Sequence, residues 1–324
     1  MKKDELQTVP NILLRFAHLL GAEVKNNRLE IPEKFGTGYC AGFLFNEHIR
    51  MLISNYELNE DLMVNNPDID TVRRMIFFKF QNIFPRAKPL STGRHLMETP
   101  SVLIATSRIN TDEVISIHTN TATINIEVDA NYLKGLFDLP EKSPVLQSLL
   151  QNRQPLLFEQ IIYTSLHKIV DEMITEPAGQ TFEMFFLRVK AEELICRLLM
   201  ELEKRDEKYL YPLNSRDIQT IYTVKEQMLE HLETPPVIKE LAGSAGMSPT
   251  KLKRLFSQIF GSSIFSYYQG FRVKEASRLL REEKLSVSEA GYRLGFINLS
   301  HFSRVFAAHT GMKPKQYSRF ENKN

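Results

Sequence analysis

Cysteine is scarce in this 324-residue chain: only Cys40 and Cys196 occur, far apart. They make neither a disulfide framework nor a metal-ligand spacing, which suits a reducing compartment and leaves each expected as a small buried hydrophobe. Long apolar runs are missing as well. The best, around Arg73-Arg74-Met75-Ile76-Phe77-Phe78, is short and broken by charge, against the roughly 18 to 20 residues that cross a bilayer. Met1-Lys2-Lys3-Asp4-Glu5-Leu6 is charged but leads into no apolar segment and no small-residue cleavage site, so export is not expected. The expectation is a soluble, cytoplasmic protein with no membrane contact. Signs of catalysis are equally thin. Gly36-Thr37-Gly38 lacks the Lys-Ser/Thr pair or third glycine of a phosphate loop and reads as a strand turn. No Gly-x-Ser-x-Gly nucleophile elbow is present, and Glu192-Glu193 and Glu282-Glu283 read as helix-surface pairs. The eight histidines sit singly; His48, His95 and His118 share one region without ligand spacing. No catalytic residue, cofactor or metal is expected.

What is present is an ordinary globular composition, 43% hydrophobic and 25% charged, enough for about two or three domains. The net charge of +2 hides an asymmetry. From Ser215 to Asn324 there are 17 Lys and Arg against 10 Asp and Glu; the preceding residues carry 24 against 29. A basic final third points to a polyanionic partner for that part, with a solvated basic surface as the alternative.

The texture changes along the chain. A short helix at residues 11–20 is followed by β-rich runs at 28–31, 38–45, 49–58, 75–84, 101–106, 114–118 and 123–128, separated by Gly, Pro, Asn and Asp. Ile124, Ile126 and Val128 alternate with polar neighbours, as a half-buried strand requires. About seven short strands in roughly 110 residues suggest a small sandwich or barrel. Phe43, Phe45, Tyr56, Phe77, Phe78 and Phe80 are candidates for a pocket lining, though core packing accounts for most of them. From Asn131 the period becomes helical: short helices at 131–137 and 145–150, a longer one at 156–175 and a strong one at 181–204. The last carries Phe182, Phe185, Phe186, Val189, Leu194, Ile195, Leu198, Leu199 and Leu202 on its apolar side. The long pair either buries its seam on the β-region or pairs with a second copy. Residues 203–214 are the best linker. The fold class is therefore α+β with two domains: one over 1–210, β-rich to about 130 and then helical, and an all-α one over 211–324.

That last domain contains a repeat. After a helix at 218–232, Thr234-Pro235-Pro236 offers a capping hydroxyl and first-turn prolines. Two short helices about Gly246-Met247 follow, the second opened by Ser248-Pro249, and together they make a helix-turn-helix at 236–260. At an offset of 49, Ile238, Leu241, Ala242, Gly246 and Met247 fall on Val287, Ala290, Gly291, Gly295 and Phe296; at 50, Leu252, Arg254, Phe256, Gly261 and Tyr267 fall on Phe302, Arg304, Phe306, Gly311 and Tyr317. Ser286 and Glu289 form a capping box that opens the second unit, at 286–310. Between the copies, 262–283 reads as one continuous helix of about 30 Å, close to the roughly 34 Å between successive major-groove faces of DNA.

Residues 218–320 resemble the C-terminal DNA-binding domain of AraC/XylS-family transcription regulators, on Leu252 to Phe256 (Leu-Lys-Arg-Leu-Phe), Phe271-Arg272 with Ala276 and Leu279-Leu280, Gly295-Phe296, Phe302 to Phe306, and Gly311-Met312-Lys313-Pro314 with Tyr317. Ala290-Gly291 departs from the family's usual Ile-Ala pair, which implies weaker packing in the second copy. Matched to the family's motif, Thr250, Lys253 and Arg254 on the first reading helix and Leu299, Ser300, His301 and Arg304 on the second are candidates for base edges. Ser248, Lys251, Arg272, Lys274, Lys313 and Lys315 are candidates for the DNA backbone, with Arg272 alternatively tying the spacer to its neighbours. The resemblance implies a double-stranded DNA partner, RNA polymerase contact and activation, and an N-terminal region that senses a small-molecule or protein effector of unknown identity and dimerises. Two other readings stay open: an enzyme with a small β-barrel tethered to DNA by its basic tail, and an effector-free architectural DNA-binding protein.

Overall fold

A computed structural model describes residues 9–65, 74–84, 99–107, 114–118, 120–137, 143–175, 179, 181–205 and 210–319. His95 and part of the expected linker lie outside these residues. The described chain forms two compact units, one ending at Asn214 and the next beginning at Ser215.

The first unit is built on strands β1 (Arg28–Glu30), β2 (Gly36–Leu44), β3 (Ile49–Leu58), β4 (Leu62–Asn65), β5 (Met75–Gln81), β6 (Ser101–Thr106), β7 (Val114–Ile117), β8 (Asn120–Asp129) and β9 (Leu157–Ile161). Seven of them make one antiparallel sheet in the order β1-β2-β3-β8-β5-β6-β9, and β4 pairs with β7. Register follows the apolar alternation. On β8, Ile124, Ile126 and Val128 lie opposite Ile53, Met51 and Ile49 of β3 on one side and Phe80, Phe78 and Ile76 of β5 on the other. All are buried, so this row is the centre of the main core. Helices α2 (Ala130–Leu136), α3 (Pro144–Gln151), α4 (Thr164–Thr175) and α5 (Glu183–Glu203) contribute to that core, while α1 (Asn11–Leu20) caps a second core with Leu29, Cys40, Tyr56 and Leu58. The β-rich reading followed by helices holds.

Several details differ from the sequence expectation. The run at 156–175 is not one helix: Leu157–Ile161 is the edge strand β9, whose apolar Leu157 and Phe158 are consumed by pairing with β6, and only Thr164–Thr175 is helical. Gly36-Thr37-Gly38 lies within β2 rather than at a turn. On α5, Leu187, Ala191, Leu194, Ile195, Leu198, Leu199 and Leu202 face the core, but Phe185 and Val189, with the N-cap Phe182, face solvent, Phe185 at 70% exposure. Phe43, Tyr56, Phe78 and Phe80 are core residues. The two cysteines part company: Cys40 is buried against Ser54, its Sγ 3.3 Å from the hydroxyl, whereas Cys196 is exposed on α5.

The second unit contains α6 (Ser215–Glu230), α7 (Ile238–Ser244), α8 (Pro249–Phe260), α9 (Ile264–Arg281), α10 (Val287–Arg293), α11 (Leu299–Thr310) and α12 (Pro314–Tyr317). Thr234 does not cap α7, which starts at Ile238 behind Val237 with no side-chain cap. The capping box of Ser286 and Glu289 forms, with Ser286 Oγ accepting from the Glu289 N–H and the Glu289 carboxylate accepting from the Ser286 N–H. The 18-residue α9 runs about 27 Å and carries the core between the two helix pairs. Its Tyr268 hydroxyl donates to the Leu232 carbonyl at 2.7 Å, and one turn later Arg272 donates to the Leu294 carbonyl while lying 3.6 Å from the Phe296 ring centroid. Arg272 is 3% exposed, so it is not a DNA-backbone contact; it is the tie between spacer and second turn. Burial lowers its pKa from the ordinary guanidinium value, and the carbonyl and rings compensate the buried cation.

The two turn glycines share a left-handed backbone, φ +61° at Gly246 and +73° at Gly295, but not a neighbourhood. A Cβ on Gly246 would meet nothing within 4 Å; on Gly295 it would fall 2.0 Å from the Glu233 carbonyl oxygen. Gly246→Ala should therefore cost about 1 kcal/mol from backbone strain alone, and Gly295→Ala roughly 3 kcal/mol or more because two backbones must separate. Comparison of the two variants by thermal or urea unfolding checks this, and equal losses would contradict it. Cys40 provides a second check. Burial pushes its thiol up to about 12, so native protein should take one equivalent of iodoacetamide at Cys196 and a second only after unfolding.

Candidate nucleic-acid interface

The first reading helix is α8. Ser248 is its N-cap, the hydroxyl accepting from the Lys251 N–H at 3.2 Å, and Pro249 fills the first turn, where no N–H is needed. Leu252, Leu255, Phe256, Ile259 and Phe260 are buried, and Phe256, Phe260 and Tyr267 form a ring cluster with centroids 4.5 to 5.4 Å apart. That anchors one side of the helix and leaves Thr250, Lys253 and Arg254 exposed on the other. Lys251 behaves differently from the expectation of a solvent-facing cation: its Nζ lies 2.8 Å from a carboxylate oxygen of Asp217 on α6, which is 15% exposed. Asp217 was not signalled by any motif, because the contact joins residues 34 apart.

The second reading helix is α11. Asn298 is its N-cap, with Oδ1 accepting from the N–H groups of Ser300 and His301 at 2.9 and 3.0 Å. Phe302 and Phe306 are buried, and the aromatic chain Phe296, Phe302, Phe306, Tyr317 runs through the unit with centroid separations of 5.0 to 5.8 Å. Ser300, His301 and Arg304 are exposed together. Leu299 is not with them. It is half-buried, and its Cδ2 sits 2.8 Å from where a Gly291 Cβ would be, with a Phe302 ring carbon at 3.2 Å. The methyl groups missing at Ala290-Gly291 are thus replaced by Leu299 and Phe302, and the packing that the departure was expected to weaken is filled.

Around these helices, Lys274 on α9 and Lys313 and Lys315 at α12 are exposed. Ion pairs brace the end of the spacer: Arg278 donates to Glu275 and Glu283 at 2.7 Å each, and Arg293 of α10 to Glu283 at 2.6 Å. The hydrogen bond from Arg278 holds the Glu283 carboxyl below the usual carboxylate range, with Arg293 adding to it. Among the described residues, no group of three or more His, Cys, Asp or Glu is arranged to hold a metal ion. The C-terminal unit thus offers two capped helices, each with its apolar side locked and a polar, cationic side outward, joined by one braced helix.

Comparison with known proteins places this arrangement. Residues 241–319 match the model of a helix-turn-helix domain family. The regulatory protein PchR of Pseudomonas aeruginosa is 35% identical over 71 residues, covering 22% of this chain and 24% of PchR. The arabinose operon regulatory protein of Escherichia coli is 27% identical over 120 residues, 37% of this chain and 40% of that protein. A solved transcriptional regulator from Chromobacterium violaceum, described as containing an AraC-type DNA-binding domain, is 25% identical with a TM-score of 0.31 and covers 34% of this chain and 100% of that one. The chain thus spans well under half the length of the two curated relatives. The family model falls on the duplicated unit, and residues 241–319 of this chain are a helix-turn-helix domain.

Proposed function

We propose that this protein is a sequence-specific DNA-binding transcription regulator, an activator that contacts RNA polymerase, in which residues 211–324 read two successive major-groove segments of double-stranded DNA under the control of a sensor domain over 1–210. One observation carries the reading: two register-matched reading helices, each with an exposed arginine at the equivalent position, Arg254 and Arg304, on opposite ends of one rigid spacer. Arginine pairs with guanine O6 and N7, and Thr250, Lys253, Ser300 and His301, exposed on the same two helices, read neighbouring base edges in this proposal. Ser248, Lys274, Lys313 and Lys315 position the domain on phosphates. Lys251 reaches a phosphate only by releasing Asp217. A sensor domain that responds to an effector agrees with the separation of the chain into two units, and the absence of any recognisable catalytic constellation in the sequence weighs against a DNA-tethered enzyme.

The outer side of α5 supports pairing with a second copy of this chain. Phe182, Phe185, Val189 and Met200 are exposed there at helical spacing, opposite the face that packs on the unit's own core. A two-fold pairing of this stripe covers it in both copies at once.

Arg254→Ala and Arg304→Ala should each weaken binding to the preferred sequence by about 1 to 3 kcal/mol and relax specificity within its own half-site, whereas Lys313→Ala should weaken all sequences alike and flatten the salt dependence. Equal losses on specific and random duplexes for both arginines would overturn the base-reading assignment. For the pairing, sedimentation at micromolar concentration should give a dimer for the wild type and a monomer for Phe185→Glu with an unchanged circular dichroism spectrum. A monomeric wild type would refute it.

A further inference from the structure

The two helix-turn-helix copies differ by one residue in the turn. In the first, Met247 alone separates the turn glycine Gly246 from the N-cap Ser248; in the second, Phe296 and Ile297 separate Gly295 from the N-cap Asn298. Phe296 does the packing, 4% exposed with its ring 5.0 Å from Phe302 and beneath the Arg272 guanidinium. Ile297 is the extra residue. It is 97% exposed, the most exposed large hydrophobic side chain among the described residues.

Single exposed apolar residues are common on protein surfaces; the position of this one sets it apart. Folding realises none of the roughly 1.5 to 3 kcal/mol that burying an isoleucine is worth, yet the backbone around it is fixed on both sides. Gly295 is pressed against Glu233, and Asn298 locks the first turn of α11 through two accepted N–H groups. The β-branched side chain also has few rotamers to lose on binding. In helix-turn-helix docking the N-terminal residues of the reading helix meet the base edges, so the residue just before that helix stands at the groove's rim. The apolar feature that distinguishes one base pair from another there is the thymine 5-methyl group.

Building on the DNA-reading proposal above, we infer that Ile297 is a specificity-determining residue that packs on a thymine 5-methyl group at the edge of the second half-site. Selection of bound duplexes with the full chain supplies the probe. Each thymine of the second block is then replaced in turn by deoxyuridine, which deletes only the methyl group. The wild type should lose about 4-fold in affinity at one or two positions, the value of one buried methyl. Ile297→Ala should bind the thymine duplex more weakly by a similar or larger factor and be indifferent to uracil at those positions, with an unchanged melting temperature. Equal uracil penalties in both proteins, wild-type affinity in Ile297→Ala, or a second block without thymine would overturn the assignment. A uniform loss on thymine and uracil duplexes would also overturn it, in favour of contact with deoxyribose. If the wild type selects no sequence at all, the DNA-reading proposal fails together with this one; an enriched sequence with any of the other results sinks this one alone.

Discussion

A buried guanidinium holds the C-terminal unit together. Arg272 leaves water in the middle of α9, and its cation is tolerated there because the Leu294 carbonyl accepts from it and the Phe296 and Tyr268 rings face it. Tyr268, one turn earlier, is fixed to the Leu232 carbonyl, and Gly295 meets the Glu233 carbonyl with no room for a Cβ. The segment entering the first helix-turn-helix, the spacer and the turn of the second therefore meet in one place. Truncating Arg272 would leave a buried carbonyl without its donor, at about 1 to 3 kcal/mol, and would free the second turn from the spacer. How the second helix pair sits against the 18-residue α9 depends on this junction.

The two copies use the same frame with different details. Each reading helix has its inner face set by phenylalanines and its first turn capped by a side chain, Ser248 in one and Asn298 in the other. In the first, Lys251 is drawn to Asp217; in the second, Leu299 is drawn to Gly291. Both residues lie where the motif alone puts a DNA contact, and in both a tertiary neighbour claims the side chain. What stays outward in both is a shorter and more polar set, with one arginine at the same register.

Much of this was legible in the sequence because local patterns and burial agree. Residues 49–58 and 101–106 form strands with the expected limits, since alternation, β-branched content and flanking turns all point the same way. The duplicated helix pairs were readable from glycine, capping and phenylalanine positions that each have a local physical cause. Failures fall where distant partners decide. Leu157–Ile161 has too few residues for its period to separate strand from helix, and pairing with β6 settles it. On α5 two apolar stripes run along one helix, so counting apolar residues could not separate the side that packs from the side that faces water. For Arg272 the sequence left two roles open, a DNA-backbone contact and a tie between the spacer and its neighbours, and its 3% exposure decides for the tie.

Two equivalent helices joined through α9 are proposed to address two successive stretches of a duplex. Selection of bound sequences from a random DNA pool by the whole 324-residue chain, at fixed near-physiological salt, tests it most directly. The account predicts an enriched motif of two blocks whose centres lie about 10 to 10.5 base pairs apart, one helical turn. A motif with a single block, or enrichment without any preferred sequence, would contradict it.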